Sequence, residues 1–142
     1  MNQKKPTVYI VVADYYKDIT GSLTNAAVKH LKKNKLNYEI IKVPGVYEIP
    51  QFINWKLNSK KTNLFIALGC VIKGDTYHFE VISDAVGQSL LDISLSNPKT
   101  IITNGIINAY TGAQAKKRSK ADSKNKGFEA ASAMVRMIEC LT

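Results

Sequence analysis

Two rhythms of hydrophobic residues alternate along the chain. Residues 8–13, 38–43, 64–72 and 100–107 are short runs rich in Val, Ile, Leu and Phe, bounded by Pro, Gly, Asp or Asn. Such runs read as strands, and the unbroken ones as strands covered on both faces. Between them the apolar positions recur every three or four residues. After Thr20, which fits an N-cap, Leu23, Ala27 and Leu31 repeat at four-residue spacing while Lys29, Lys32 and Lys33 lie elsewhere. This is an amphipathic helix ending near Asn34. Ile49, Ile53 and Leu57 mark one face of a second helix, with Pro50 accommodated in its first turn. A third runs from about residue 78 to 95, with Val81, Ala85 and Val86 expected to face the core, and is stopped by Asn97-Pro98. A short helix over 111–118 and a last one over 128–141, with Ala131, Met134, Val135 and Ile138 on its buried side, complete the set.

Apolar strands alternating with amphipathic helices predict an α/β fold: a four-stranded, mainly parallel sheet in a three-layer α/β/α sandwich, joined by right-handed crossovers. At 142 residues the whole chain, 1–142, is expected to form one domain with its own core. No apolar run approaches the roughly 18 to 20 residues needed to span a bilayer. The N-terminal MNQKKPTVYIVVAD is a basic stub before a strand, without a small-residue cleavage site, so a soluble, cytoplasmic protein without a membrane partner is expected. Cys70 and Cys140 are far apart and neither has a Cys or His at zinc-like spacing. Neither a metal nor a disulfide framework is indicated.

The formal net charge of +9 favours phosphate-bearing partners of some kind, whether nucleic acid, lipid or a small metabolite. Much of it lies in Lys116, Lys117, Arg118, Lys120, Lys124 and Lys126, which on their own read as a solvated helix end and loop. A basic nucleic-acid-binding module is the main rival reading, but no RNA- or DNA-binding motif accompanies the run. A P-loop is excluded by the absence of G-x-x-x-x-G-K-[ST]. A signalling receiver domain is disfavoured because the third strand ends in Gly69-Cys70, where an acceptor aspartate is required.

In open α/β sheets ligands bind beyond the carboxyl ends of the strands, which directs attention to residues 14–16, 44–48, 73–78 and the region from 104 onward. The third exit, LGCVIKGDTYHFE, is the richest. Gly74 lets backbone approach a ligand, Asp75 and Thr76 lead into a helix whose free N–H groups suit an anion, and His78 follows within a turn. A histidine there can carry protons in both directions near neutrality. Each residue alone has an ordinary reading as turn or cap; together they form a phosphate cradle beside a proton carrier. In VPGVYEIP, Pro44-Gly45 bends the chain and presents Tyr47 and Glu48, whose carboxylate can accept from sugar-like hydroxyls or simply favour a helix start. Of Tyr15 and Tyr16, one offers a flat surface to a heteroaromatic ring and the other packs in the core. Arg118 can clamp a phosphate with its planar fork.

VPGVYEIP, then LGCVIKGDTYHFE, then NGI in the fourth strand and NKG before the last helix resemble the lumazine synthase family over nearly the whole chain. The family pairs V-P-G-x-x-E-x-P with G-x-x-[IV]-[RK]-G-x-T-x-H-[FY]-[DE]. The resemblance implies a flavodoxin-like fold of lumazine synthase type. It also implies a transferase of riboflavin biosynthesis that condenses two small substrates, a ribitylamino-pyrimidinedione and a keto phosphate, without cofactor or metal. By position, Tyr15 matches the ring-stacking aromatic; Val46, Tyr47 and Glu48 the segment holding ring and ribityl chain; and Cys70, Val71 and Ile72 the strand end whose backbone binds the same substrate. Asp75 and Thr76 match the phosphate-binding pair, His78 the proton-transfer histidine, Arg118 an arginine reaching the phosphate from a neighbouring subunit, and Lys126 a lysine near the pyrimidinedione. A homopentamer with sites shared between subunits is implied, as an isolated pentamer or a pair. Lys120-Ala121-Asp122-Ser123-Lys124 replaces the glycine-rich stretch of shell-forming members, and about seven residues precede the first strand. Asn104 stands where the family has a phenylalanine donated by the next subunit, and ADYYKDIT replaces the frequent G-R-F-N type. An archaeal-type riboflavin synthase would share the fold and differ in the substrate consumed.

Overall fold

The computed structural model describes residues 6–141. In chain order these form β1 (Thr7–Ala13), α1 (Lys17–Lys33), β2 (Asn37–Val43), a 3₁₀ turn (Val46–Glu48), α2 (Ile49–Ser59), β3 (Leu64–Ile72), α3 (His78–Ser96), β4 (Ile101–Ala109), α4 (Gly112–Arg118) and α5 (Lys126–Leu141). The four strands pair in parallel in the order β2-β1-β3-β4. The chain thus starts at the centre, runs out to one edge with β2, returns to β3 and leaves by β4. The direction of winding reverses between β1 and β3, and at such a switch point the connections diverge and leave a crevice at the carboxyl edge.

Side chains alternate across a strand, and here both faces are covered. On β1, Val8, Ile10 and Val12 join the cluster with Leu23, Ala27 and Leu31 of α1 and Ala130, Ala131 and Met134 of α5. Tyr9, Val11 and Ala13 point the other way, among Ile49 and Ile53 of α2 and Ile82, Val86 and Leu90 of α3. β3 repeats the division with Leu64, Ile66 and Leu68 against Phe65 and Ala67. The unbroken apolar runs therefore have a physical cause: every residue has a layer to enter. β2 is an edge strand, and of its residues only Val43 is buried.

Three local expectations are corrected. α1 begins at Lys17 with Tyr16 at the N-cap position and no side-chain cap. Thr20 lies inside the first turn, nearly fully buried, and its hydroxyl donates to the Tyr16 carbonyl at 3.1 Å. A threonine can satisfy itself on the carbonyl four residues back as well as cap an end, and here it does the former. On α3, Val81 and Ala85 are exposed; the buried stripe is Phe79, Ile82, Val86 and Leu90, the same period turned by one residue. α5 starts at Lys126, two residues before the expected Phe128.

Candidate active site

A crevice of about 670 Å³ opens at the carboxyl edge of the sheet, around the switch point. That is within the usual size of a small-molecule pocket. Three strand exits and the first turns of α3 build its walls.

From the end of β1 come Tyr15 and Tyr16, whose rings meet edge to face at 4.9 Å and 82°. Tyr16 is half-buried against the α1/α5 side of the core, while Tyr15 is 76% exposed and lines the crevice. The two tyrosines divide packing and presentation between them. Burial first, and then the neighbouring Cys70 and Tyr15, raise the Tyr16 phenol above its ordinary value, so it remains a protonated hydrogen-bond donor.

From the end of β2 comes the 3₁₀ turn, entered through Pro44 and Gly45 and held by the Glu48 N–H donating to the Gly45 carbonyl at 3.2 Å. Val46 is buried, Tyr47 is exposed and Glu48 is half-buried, and all three line the crevice. Val46 owes its place to Gly69 of β3: a Cβ on Gly69 would lie 2.7 Å from Val46 Cγ2 and 3.2 Å from Ala13 Cβ. Only the absence of a side chain lets the turn rest on the strand.

From the end of β3 come Cys70, Val71 and Ile72. Cys70 is buried, and burial pushes its thiol up to about 11. It is a neutral wall atom near neutral pH, without the thiolate a nucleophile requires. The Lys73 N–H donates to the Ala109 carbonyl at 2.9 Å, carrying the β3–β4 pairing one residue past the strand. The Lys73 ammonium stands 3.6 Å from a Glu80 carboxylate oxygen and 5.8 Å from the centre of the Tyr110 ring. These contacts pin both ends of the loop 73–78. Within it Gly74, Asp75 and Thr76 are exposed, and the Thr76 hydroxyl accepts the His78 N–H at a long 3.4 Å. His78, the first residue of α3, is exposed on the crevice rim, with Ile82 one turn further in.

Of the residues singled out in the sequence, Tyr15, Val46, Tyr47, Glu48, Cys70, Val71, Ile72 and His78 meet in this crevice. Asp75 and Thr76 are beside it in the loop leading to His78 but do not form its walls. Asn104, Arg118 and Lys126 do not line it either. Asn104 is exposed on the edge strand β4, its side-chain oxygen turned back to accept the Ile106 N–H at 3.0 Å. Arg118 ends α4 and is exposed; Lys126 opens α5, 3.9 Å from a Glu129 carboxylate oxygen. Gly45 and Ile82 line the crevice without having been singled out. Gly45 was visible as half of a Pro-Gly turn, whereas Ile82 was missed because the core face of this helix was expected to run through Val81 and Ala85. Among the described residues no three His, Cys, Asp or Glu side chains are grouped to hold a metal, and no helix is long and apolar enough to cross a membrane.

Residues 5–142 match the family model described as 6,7-dimethyl-8-ribityllumazine synthase. Curated proteins of that name are similar along most of their length. The one from Bartonella tribocorum is 41% identical over 137 residues, covering 96% of this chain and 90% of its own. That from Bartonella bacilliformis is 40% identical over 143 residues, covering 97% and 93%, and that from Afipia carboxidovorans 41% over 136 residues, covering 92% and 83%. A parallel β2-β1-β3-β4 sheet, a crevice at its switch point walled by both motif segments, and a match over nearly every residue lead to one assignment: the chain belongs to the 6,7-dimethyl-8-ribityllumazine synthase family.

Proposed function

We propose that the crevice joins 5-amino-6-ribitylamino-uracil to 3,4-dihydroxy-2-butanone 4-phosphate, giving 6,7-dimethyl-8-ribityllumazine in the penultimate step of riboflavin synthesis. The carrying observation is that an exposed tyrosine, a carboxylate and a histidine share one crevice with the helix-entry loop Gly74-Asp75-Thr76 beside it. Tyr15 stacks on the pyrimidinedione, backbone groups of residues 46–47 and 70–72 hold its polar edge, and Glu48 accepts from the ribityl hydroxyls. Asp75 and Thr76 approach the phosphate with backbone N–H groups and a hydroxyl. The amine attacks the ketone and water leaves to form an imine. Loss of phosphate then leaves an enol at the neighbouring hydroxyl-bearing carbon, which tautomerises to a ketone, and the ribityl-bearing nitrogen closes the ring on that ketone with loss of a second water. His78 carries protons between these steps. No cofactor or metal takes part. Mixing the purified protein with both substrates and following lumazine absorbance tests the reading; absence of turnover with both substrates saturating sinks it.

The same reading makes the chain, 1–142, one catalytic domain of a cytoplasmic homopentamer. Asn104, Arg118 and Lys126 do not line their own crevice, which supports a reading in which they serve that of the next subunit, with a closed ring supplying every crevice with a neighbour. Val81, Leu91 and Leu95 on α3 and Trp55 on α2 are large apolar side chains left exposed in the single chain, as suits surfaces covered on assembly. Light scattering at assay concentration should give five chains of 15.7 kDa or a pair of such rings. A mass near 60 subunits refutes the isolated pentamer, and an active monomer refutes the shared site.

A further inference from the structure

The segment 119–125 separates Arg118 from Lys126, the two cations assigned to the neighbouring crevice. It contains a polar side chain buried to 0% exposure, Asn125. A buried amide is costly unless both its ends are hydrogen-bonded, and this one is. Its Oδ1 accepts the Gly127 and Phe128 N–H groups at 2.8 and 3.0 Å, the bonding of a helix N-cap, while its Nδ2 donates to the Ser119 carbonyl at 2.9 Å. Ser119 is the residue that closes α4. One side chain therefore caps α5 and ties that cap to the end of α4.

The α5 end of this tie has a firm footing. A Cβ on Gly127 would run into the Leu23 carbonyl, so the first turn of α5 rests directly on the backbone of α1. The α4 end does not: α4 has seven residues, too few to hold its own geometry. Residues 116–126 also carry six cations and a single carboxylate, Asp122, and their mutual repulsion pushes the ends of the segment apart.

We infer that Asn125 is a positioning residue which, through its bond to the Ser119 carbonyl, fixes Arg118 relative to Lys126 and so sets the spacing at which the phosphate and the pyrimidinedione are gripped. This rests on the proposed function for the identity of the ligands. Asn125 itself touches no substrate.

Asn125→Ser separates the two tasks. Serine is an equally good N-cap, but its hydroxyl is too short to reach Ser119. The expected variant is folded, raises KM for the keto phosphate by roughly 10-fold, the scale of one hydrogen bond to a charged group, and changes kcat little. Added to Arg118→Ala it should cause no further loss, because both act through the same guanidinium. Amides of residues 119–124 should exchange with solvent faster than in the wild type, with the α5 interior unchanged. If Asn125→Ser does not fold, Asn125→Asp keeps the size and both acceptor contacts but puts a carboxylate oxygen where the donor was, facing the Ser119 carbonyl, and so breaks the tie. An unchanged KM in a folded variant, or losses that multiply with Arg118→Ala, overturns the inference. If the wild type shows no turnover the proposed function fails, while exchange over 119–124 still decides whether Asn125 holds the segment: unchanged exchange overturns it.

Discussion

Gly69→Ala tests whether the crevice wall is set by packing behind it. The added Cβ would stand 2.7 Å from Val46 Cγ2, 3.2 Å from Ala13 Cβ and 3.9 Å from Ile106 Cγ1. Carbon atoms settle at about 3.5–4.0 Å, so Val46 must recede by roughly 1 Å. Gly69 does not have a positive φ, so no backbone strain enters and the cost is steric. Overpacking of this kind removes about 1–3 kcal/mol of stability. The displaced 3₁₀ turn carries Val46, Tyr47 and Glu48, and a shift of about 1 Å in a positioning segment can cost on the order of 100-fold in rate. The expected result is a lower urea midpoint and kcat/KM for the pyrimidinedione reduced roughly 10- to 100-fold, with KM for the keto phosphate nearly unchanged. Gly105→Ala is the control: its Cβ would meet Leu68 Cδ2 at 2.5 Å and Ala130 Cβ at 3.0 Å, on the α5 side of the sheet. It should destabilise without altering either KM. If Gly69→Ala loses stability and keeps its pyrimidinedione kinetics, the 3₁₀ turn does not hold that substrate.

His78→Ala should slow turnover by roughly 10- to 100-fold, and an unchanged rate at every pH removes His78 from the mechanism. Arg118→Ala should raise KM for the keto phosphate far more than for the pyrimidinedione, and Glu48→Gln the reverse; equal effects on both substrates would indicate a role in folding or assembly. Cys70, with its thiol raised from 9.0 to about 11 by burial, should resist iodoacetamide at pH 8 while exposed Cys140 reacts, as peptide mass mapping would reveal. The folded state keeps the Cys70 proton longer than the unfolded chain, so its contribution to stability is complete below pH 9 and declines toward pH 11. Subtracting the pH–stability curve of Cys70→Ala isolates that decline, and a flat difference refutes it.

How much of this was legible in the sequence depends on where each residue finds its partner. The runs 8–13 and 64–72 were legible because alternate side chains enter two layers of the same chain. Val81 and Ala85 misled because being apolar predicts burial only where something covers the residue, and within one chain nothing covers that side of α3. Thr20 misled because its hydroxyl has two local ways to be satisfied. Tyr15, Tyr47, Glu48 and His78 were legible because they follow strand exits, which the parallel topology brings to one edge, whereas Val46, Cys70, Val71 and Ile72 were implied only by the family resemblance. Gly69 and Asn125 were not legible in their positioning roles. A glycine in a strand and an asparagine in a polar linker look like local chemistry, whereas their effect lies in what stands across from them: Val46 for one, the Ser119 carbonyl for the other.

The crevice also allows a ranking of effects. Two substrates must be joined, and holding them together can supply about 7–11 kcal/mol of the barrier, whereas a positioned proton carrier contributes about 10²- to 10⁴-fold. β1 and β3, against which the walls rest, have side chains buried on both faces, while His78 sits exposed on the rim, its backbone N–H in a 3.4 Å contact with the Thr76 hydroxyl. Proton transfer at such a rim can be taken over in part by water. The position of the 3₁₀ turn cannot. Gly69→Ala, which leaves every chemical group in place, should therefore cost at least as much in kcat/KM for the pyrimidinedione as His78→Ala, which removes one. The pH profiles distinguish the causes: the glycine variant should lower the whole profile without changing its shape, and the histidine variant should change the shape. A histidine variant more than 10-fold worse than the glycine variant would mean that acid–base chemistry at the rim, and not the placement of the substrates, limits the rate.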